Sequence, residues 1–388
     1  MEYQFNLERP VNGIASTEAA FVPPVFQPLP NPAGNPPYHL DISDVISSAD
    51  YSNIIDSKQM IFHLTADVGG VKSPQDQVLV ADHMEMQFDK NNPKANPVFL
   101  YIPGDVVYYY GQLSEYNNQF YEPYKFYPAP IFAIPGNHDG DVDPADTTPQ
   151  KSLDAFVKMF CAAAAAVPPE AGDARRTTMT QPNVYFTLVT PVANIIGLYT
   201  NVPEGGIIQP DQQQWFINEL ITAGKELNDK ALIVALHHPP YSMDTHHGAS
   251  PAMQQSLDDA FTKANVYPDI VFTGHVHNYQ RFTRKTDKKD IPYIVAGAGG
   301  YWHLHNITTR KKVVKTPGPS SFKNVRFEKF CEDRHGFMRI SIDMNKKRLK
   351  GEYFTVPRQQ EPWKNPPVLF DTFTIDLEKN KVKNQKNK

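Results

Sequence analysis

The chain has 388 residues, 40% of them hydrophobic and 21% charged, with a formal net charge of −4. That length suits one large globular domain or two ordinary ones, and the charge leaves no global basic field to draw in nucleic acid. No apolar run approaches the roughly eighteen residues of a membrane-spanning helix, and Cys161 and Cys331 are too few for a disulfide framework or a thiolate metal site.

Residues 1–55 are rich in Pro, Asn and Ser, show little periodicity and read as an extended arm. The opening stretch MEYQFNLERPVNG carries neither the basic nor the apolar region of a secretory signal. The expected location is therefore cytoplasmic unless a signal has been removed, in which case it is secreted or periplasmic. A folded domain is expected over 56–378, with its core starting at Met60. Short apolar runs then alternate with helical patterns. IFHLTA is followed by the helical PQDQVLVADHMEMQF, then by VFLYI and IFAI. A helix is predicted over 151–166, holding Cys161 as a core residue, and strands at VYFTLV and NIIGLY. A helix at 211–223, the strand LIVAL, a helix at 251–264 opened by Ser250 and Pro251, and the strands DIVFT and PYIVAG come next. Beyond residue 335, GFMRISIDM, RLKGEYFTV and LFDTFTIDL read as consecutive antiparallel strands. This is an α/β pattern with a mixed sheet or a sandwich of two sheets. The basic stretch 379–388 reads as a disordered, solvated tail. Proline, at 35 residues, is enriched; because strand-like runs recur between the prolines, the excess points to rigid loops rather than to disorder.

The chemistry sits just past the apolar runs. IFHLTA leads to Asp67-Val68-Gly69, and VFLYI to Gly104-Asp105 and on to Tyr108. IFAI leads to Gly136-Asn137-His138-Asp139, LIVAL to His237-His238-Pro239, and DIVFT to Gly274-His275-Val276-His277. Sites in open α/β sheets form outside the carboxyl ends of strands, and here strand end after strand end delivers Asp, Asn or His. Carboxylates are hard anionic donors, and one can bridge two ions. Imidazoles suit zinc, iron and manganese, and an Asn carbonyl adds a neutral oxygen. Any one of these motifs alone reads as a turn; their ordered recurrence does not.

The set DxG, GDxxY, GNHD, HxPxYS and GHVHxYxR, over about residues 60–300, resembles the calcineurin-like metallophosphoesterases. Gly69, where many relatives place a His, together with Tyr108 three residues after Asp105, is similar to the purple acid phosphatases. The resemblance implies a metallophosphoesterase fold, a four-layer α/β/β/α sandwich with two mixed β-sheets. It also implies a dinuclear metal centre. One ion would be held by Asp67, Asp105, Tyr108 and His277, and the other by Asp105 (bridging), Asn137, His237 and His275. The expected pair is Fe(III) with a divalent ion (Zn, Mn or Fe). Two residues depart from the family pattern, Asp139 and Gln280 standing where Glu is usual. The reaction it implies is hydrolysis of phosphomonoesters by in-line attack of a metal-bound hydroxide, in the manner of an acid phosphatase. His138 would stabilise the transition state or protonate the leaving group, with Asp139 as a candidate to orient it. His247, or the adjacent His246, would contact substrate.

The substrate is expected to be a phosphorylated small molecule or protein, with neither nucleic acid nor membrane as partner. One rival is a phosphodiesterase acting on cyclic nucleotides, nucleic acid or lipid head groups; another is a non-catalytic interaction scaffold. The DVG and Tyr108 pair favours the monoesterase, and an intact donor set speaks against the scaffold. Tyr109 and Tyr110 read as packing or pocket-wall residues. His303 and His305 have no acidic neighbours in sequence and read as substrate rim or plain loop rather than a third metal site. Arg310, Lys311, Lys312 and Lys315 read as a solvated basic loop.

Overall fold

Each apolar run named above is a strand in the computed structural model, which describes residues 24–145, 151–307 and 314–384. In chain order the elements are β1 (His39–Asp41), α1 (Ser48–Ser57), β2 (Gln59–Leu64), α2 (Pro74–Glu85), β3 (Leu100–Pro103) and β4 (Ile131–Ile134). Next come α3 (Asn137–Gly140), α4 (Asp154–Phe160), β5 (Phe186–Val189), β6 (Ala193–Leu198), α5 (Pro210–Gly224), β7 (Ala231–Leu236) and α6 (Pro251–Ala264). The chain continues with β8 (Ile270–Thr273), β9 (Tyr279–Lys285), β10 (Asp290–Ala296), β11 (Gly318–Pro319) and β12 (Val325–Cys331). It closes with β13 (Gly336–Asp343), β14 (Arg348–Thr355), β15 (Val368–Asp376) and β16 (Lys381–Asn384).

Among the described residues these strands form two mixed sheets, ordered β1-β5-β6-β7-β8-β10-β9-β12-β11 and β16-β15-β14-β13-β2-β3-β4. Within the first, β6, β7, β8 and β10 are parallel neighbours; within the second, β2, β3 and β4 are. The parallel strands β7 and β8 are buried at every position, which is why they read as unbroken apolar runs. β13 and β14 alternate buried and half-exposed residues, as antiparallel strands covered on one face do. The two sheets face each other. A Cβ on Gly197 of β6 would lie 2.4 Å from Tyr101 Oη of β3 and 2.6 Å from Ile134 Cγ2 of β4. Helices α5 and α6 pack together beside β6, while α1 and α2 lie against β2 and β13. Each sheet thus carries its own helices, and the expected α/β/β/α sandwich is the fold. Cys161 and Cys331 are free thiols buried in the core.

Three segments differ from the sequence reading. Of the extended arm expected over 1–55, residues 1–23 lie outside the described residues, and the rest holds β1, paired in parallel with β5, and most of α1, whose N-cap Ser47 accepts from the Asp50 amide. Neither was legible, because β1 is three residues long and α1 buries Ile54 alone. The helix expected over 151–166 stops at Phe160. Past it the alanine run bonds to another segment instead, Ala162 N donating to Met179 O (2.9 Å) and Phe160 O accepting from Gln181 N (2.8 Å). Within the tail expected over 379–388, Lys381–Asn384 form β16 on the edge of β15. Its lysines suit an edge strand that must not recruit another chain.

Candidate metal centre

The parallel strands of both sheets end at one crevice. The seven-stranded sheet brings Asp67 after β2, Asp105 and Tyr108 after β3, and Asn137 and His138 at the start of α3 after β4. The nine-stranded sheet brings His237 after β7, and His275 and His277 after β8. To turn so sharply, Asp67, Asp105 and His275 take left-handed backbones with φ of 57°, 54° and 67°. For residues with a Cβ that conformation carries a cost, and such strain gathers at functional sites. The glycines allow the strand ends to close in. A Cβ on Gly104 would stand 2.2 Å from His237 Nδ1, and one on Gly136 2.1 Å from Asp105 Oδ1.

Every expected ligand reaches this crevice. His237 donates through Nδ1 to the Pro103 carbonyl (3.0 Å), which points Nε2 at the crevice, 3.0 Å from Asn137 Oδ1 and 3.4 Å from Asp105 Oδ1. His275 Nδ1 lies 3.0 Å from the same Asn137 oxygen. On the other side, Tyr108 Oη is 3.3 Å from Asp67 Oδ1 and 3.4 Å from His277 Nε2, and His277 Nε2 is 3.7 Å from Asp67 Oδ1. Ligands bonded to one ion at about 2.0–2.2 Å stand roughly 3.0–3.5 Å from each other, so these spacings suit shared ions. All these side chains are buried except Asn137, which is half-buried.

The electrostatics ask for a cation. Burial drives the Asp67 carboxyl well above its usual range, an effect the neighbouring Asp105 charge adds to. Burial would also lower the His237 imidazole, yet the Asp105 carboxylate holds it up at about 9. Two buried carboxylates so close together are costly unless positive charge compensates them. Asp105 Oδ2 is moreover buried without a hydrogen-bond partner. An orphaned carboxylate oxygen among imidazole, phenol, amide and carboxylate donors fits a metal centre.

His138 is held differently from the sequence expectation. Its amide donates to Asp105 Oδ1 (3.0 Å) and its ring Nδ1 to the Tyr109 carbonyl (2.9 Å). Asp139 does not orient the ring. Its buried carboxylate accepts from the amides of Val106 (3.1 Å), Val107 (3.0 Å) and Gly136 (2.8 Å), and so locks the two ligand-bearing loops together. His247 is half-buried, its ring centre 4.2 Å from that of His275, and His246 beside it is exposed. Tyr109 and Tyr110 pack with Tyr301 and Trp302 as a wall beside Tyr108. Of the basic cluster, Lys315 is exposed, and Arg310, Lys311 and Lys312 lie outside the described residues.

Sequence reasoning missed Glu204. It sits in the loop after β6, with Oε1 3.1 Å from His275 Nε2 and 3.4 Å from His247 Nδ1. The signal was present, since Glu204 comes after the run NIIGLY much as the other site residues come after theirs. Gln280 does what a Glu could not. Its Nε2 donates to Ser242 Oγ (3.0 Å) while Oε1 accepts from the Met243 amide (2.8 Å), which pins the loop that carries His247.

Comparison with known proteins agrees with this geometry. Residues 61–279, more than half of the chain, match the family described as calcineurin-like phosphoesterase. The chain is 34% identical over 159 residues to the probable purple acid phosphatase 20 of Arabidopsis thaliana, covering 37% of this chain and 34% of that protein. It is 29% identical over 168 residues to purple acid phosphatase 21 of the same plant, covering 42% and 35%. The chain thus spans about a third of the length of these curated relatives. Among solved structures, a purple acid phosphatase from yellow lupin seeds superposes with a TM-score of 0.56 at 16% identity, over 83% of this chain and 55% of that one. PhoD superposes with a TM-score of 0.54 at 14% identity, over 85% and 72%. By its fold, its convergent donors and the extent of that match, the chain belongs to the calcineurin-like phosphoesterase family.

Proposed function

We propose that this chain is a dinuclear-metal phosphoesterase that hydrolyses phosphomonoesters. The observation that carries the reading is the buried Asp105 carboxylate, with Oδ1 3.4 Å from His237 Nε2 and Oδ2 without a hydrogen-bond partner, in a crevice to which both sheets bring donors. Asp67, Asp105, Tyr108 and His277 would hold one ion, and Asp105, Asn137, His237 and His275 the other. Tyr108 favours Fe(III) in the first position. Burial, with the Asp105 and Asp67 charges, pushes its hydroxyl well above the ordinary range, so a phenolate there needs a strongly charged partner. A divalent ion such as zinc, manganese or iron suits the second set. Bound there, the pair would supply Lewis-acid stabilisation of phosphoryl charge and acidify water.

The protein's own groups do the rest. The Pro103 carbonyl fixes the His237 tautomer, and Glu204 does the same for His275. The Tyr109 carbonyl can only accept, so it keeps the His138 proton on Nδ1 and leaves Nε2 for proton transfer. A water oxygen attacks phosphorus in line and releases a proton to solvent, the ester P–O bond opposite it breaks, and the leaving oxygen takes a proton from His138 Nε2 when the ring carries one there as well as on Nδ1.

The test joins metal content, visible spectrum and turnover. The purified chain should hold two metals including iron, show a tyrosinate-to-iron colour lost in Tyr108→Phe, and turn over a monoester faster than a diester. Asp105→Ala should lose metal and at least about 10²–10³-fold in turnover. Failure to bind metal after reconstitution, or an active metal-free Asp105→Ala, would sink the reading.

A further inference from the structure

Three imidazoles outside that donor set converge on the rim of the same crevice. His246 and His247 come from the loop after β7, and His305 from the segment after β10. Their ring centres are 4.9 Å apart for His246 and His247, 4.6 Å for His246 and His305, and 5.1 Å for His247 and His305. One ring nitrogen from each lies within 4.8 Å of the others. Three imidazoles bonded to one ion at about 2.0–2.1 Å place their ring centres roughly 5 Å apart, which matches.

The loops are tied by the carboxylate of Asp244, two residues before His246. Asp244 Oδ2 accepts from the amides of His246 (3.0 Å) and His247 (2.9 Å) and lies 3.5 Å from His305 Nδ1. A carboxylate behind a ligating histidine fixes its tautomer and leaves the other nitrogen for metal. Asp244 Oδ1 is buried without a hydrogen-bond partner. His305 is held further by its backbone, its amide donating to the His277 carbonyl (2.9 Å) and its carbonyl accepting from Asn278 Nδ2 (2.9 Å).

The chemistry favours a cation over an anion, because three imidazoles converge with carboxylates beside them. Glu204 and Asp244, the carboxylates at hand, are already engaged. Neutral imidazoles are lone-pair donors of the kind zinc takes, and exposed His246 leaves the fourth position open to water.

We propose that His246, His247 and His305, backed by Asp244, form a separate three-histidine site for a divalent transition-metal ion of the zinc type at the mouth of the crevice. The site shares no ligand with the dinuclear set and stands on its own geometry. The test uses the full chain, stripped with a chelator, reloaded with zinc and assayed for zinc bound per chain. Wild type should take up a third zinc ion beyond the pair. Asp105→Ala should lose the pair and keep the third. His246→Ala, at an exposed position that does not endanger folding, should lose the third and keep the pair, and His305→Ala should agree with it. Asp244→Asn should weaken the third ion about 10–100-fold. Uptake that stops at two ions in wild type, no zinc left in Asp105→Ala, or an unchanged count in His246→Ala would each overturn the third site while leaving the dinuclear reading intact. No zinc bound at all would overturn both.

Discussion

Glu204 joins two imidazoles with a single oxygen, His275 Nε2 at 3.1 Å and His247 Nδ1 at 3.4 Å. Burial acts to raise its pKa, but the His275 and His247 imidazoles hold it well below the usual carboxylate range. Its charge therefore strengthens His275 as a donor while aiming His247 at the crevice. Glu204→Gln keeps an acceptor of nearly the same shape and removes the charge. It is expected to weaken the ion beside His275 about 10–100-fold, measured by chelator competition on the full chain. Unchanged affinity would show Glu204 to be a bystander. The proposed ligands were legible in the sequence because each lies within a few residues of the end of an apolar run. Glu204, the approach of Asp244 to His305 and the true use of Asp139 were not, because those partners are set by how loops from separate strands meet. Asp139 shows why. Adjacent to His138 in sequence, it serves the amides of Val106 and Val107 in another loop.

At the scale of elements, long periodic segments read well. The helices predicted at 211–223 and 251–264 are Pro210–Gly224 and Pro251–Ala264, the second capped by Ser250 Oγ accepting from the Met253 amide (3.0 Å). The alanine run after Phe160 failed as a helix because pairing with residues near 180 outcompeted intrinsic propensity. Strand β2, which delivers Asp67, holds a group the sequence reading passed over. His63 is fully buried, its Nε2–H donating to Gln87 Oε1 (3.1 Å) and its Nδ1 accepting from Tyr127 Oη (3.0 Å). A neutral ring is thus satisfied on both sides, and burial lowers its pKa to about 3. A depressed histidine sets the sign. Above the unfolded value of about 6.5 the folded state keeps its full advantage. As pH falls below that, the unfolded chain takes up a proton the folded one refuses, and stability drops by up to about 1.4 kcal/mol per pH unit until the folded pKa is reached. Between pH 6.5 and 5 wild type should lose about 1.6 kcal/mol through this group. Urea unfolding of wild type and His63→Gln at both pH values checks it, since the variant should lack that share of the acid loss. Equal losses would refute it.

Across the whole molecule, the two sheets each supply part of the crevice, so its donors stay together only while the sheets hold their registration. One buried cluster spans them. Asp371 of β15, in the seven-stranded sheet, receives Arg281 Nε (2.7 Å) and Nη2 (3.0 Å) and Tyr279 Oη (2.7 Å) from β9 of the other. Arg281 Nη1 also donates to Asn384 Oδ1 of β16 (2.7 Å), which gives the C-terminal strand a place in the same tie. The Tyr279 ring stacks on Tyr353 of β14 with centres 3.9 Å apart. Tyr279 and Arg281 close the GHVHNYQR motif, yet their side chains bond to Asp371 and join the two sheets that carry the proposed ligands. Removing one partner of a buried pair leaves a charge uncompensated, whereas replacing both with apolar groups can be nearly neutral. Asp371→Ala is therefore expected to cost about 3–5 kcal/mol in urea unfolding at neutral pH. The double variant Arg281→Met, Asp371→Leu should recover most of that. It should not recover all, because the Tyr279 hydroxyl has lost its acceptor too. A loss below about 1 kcal/mol in Asp371→Ala would mean that packing alone holds the sheets in register, with the ion pair incidental.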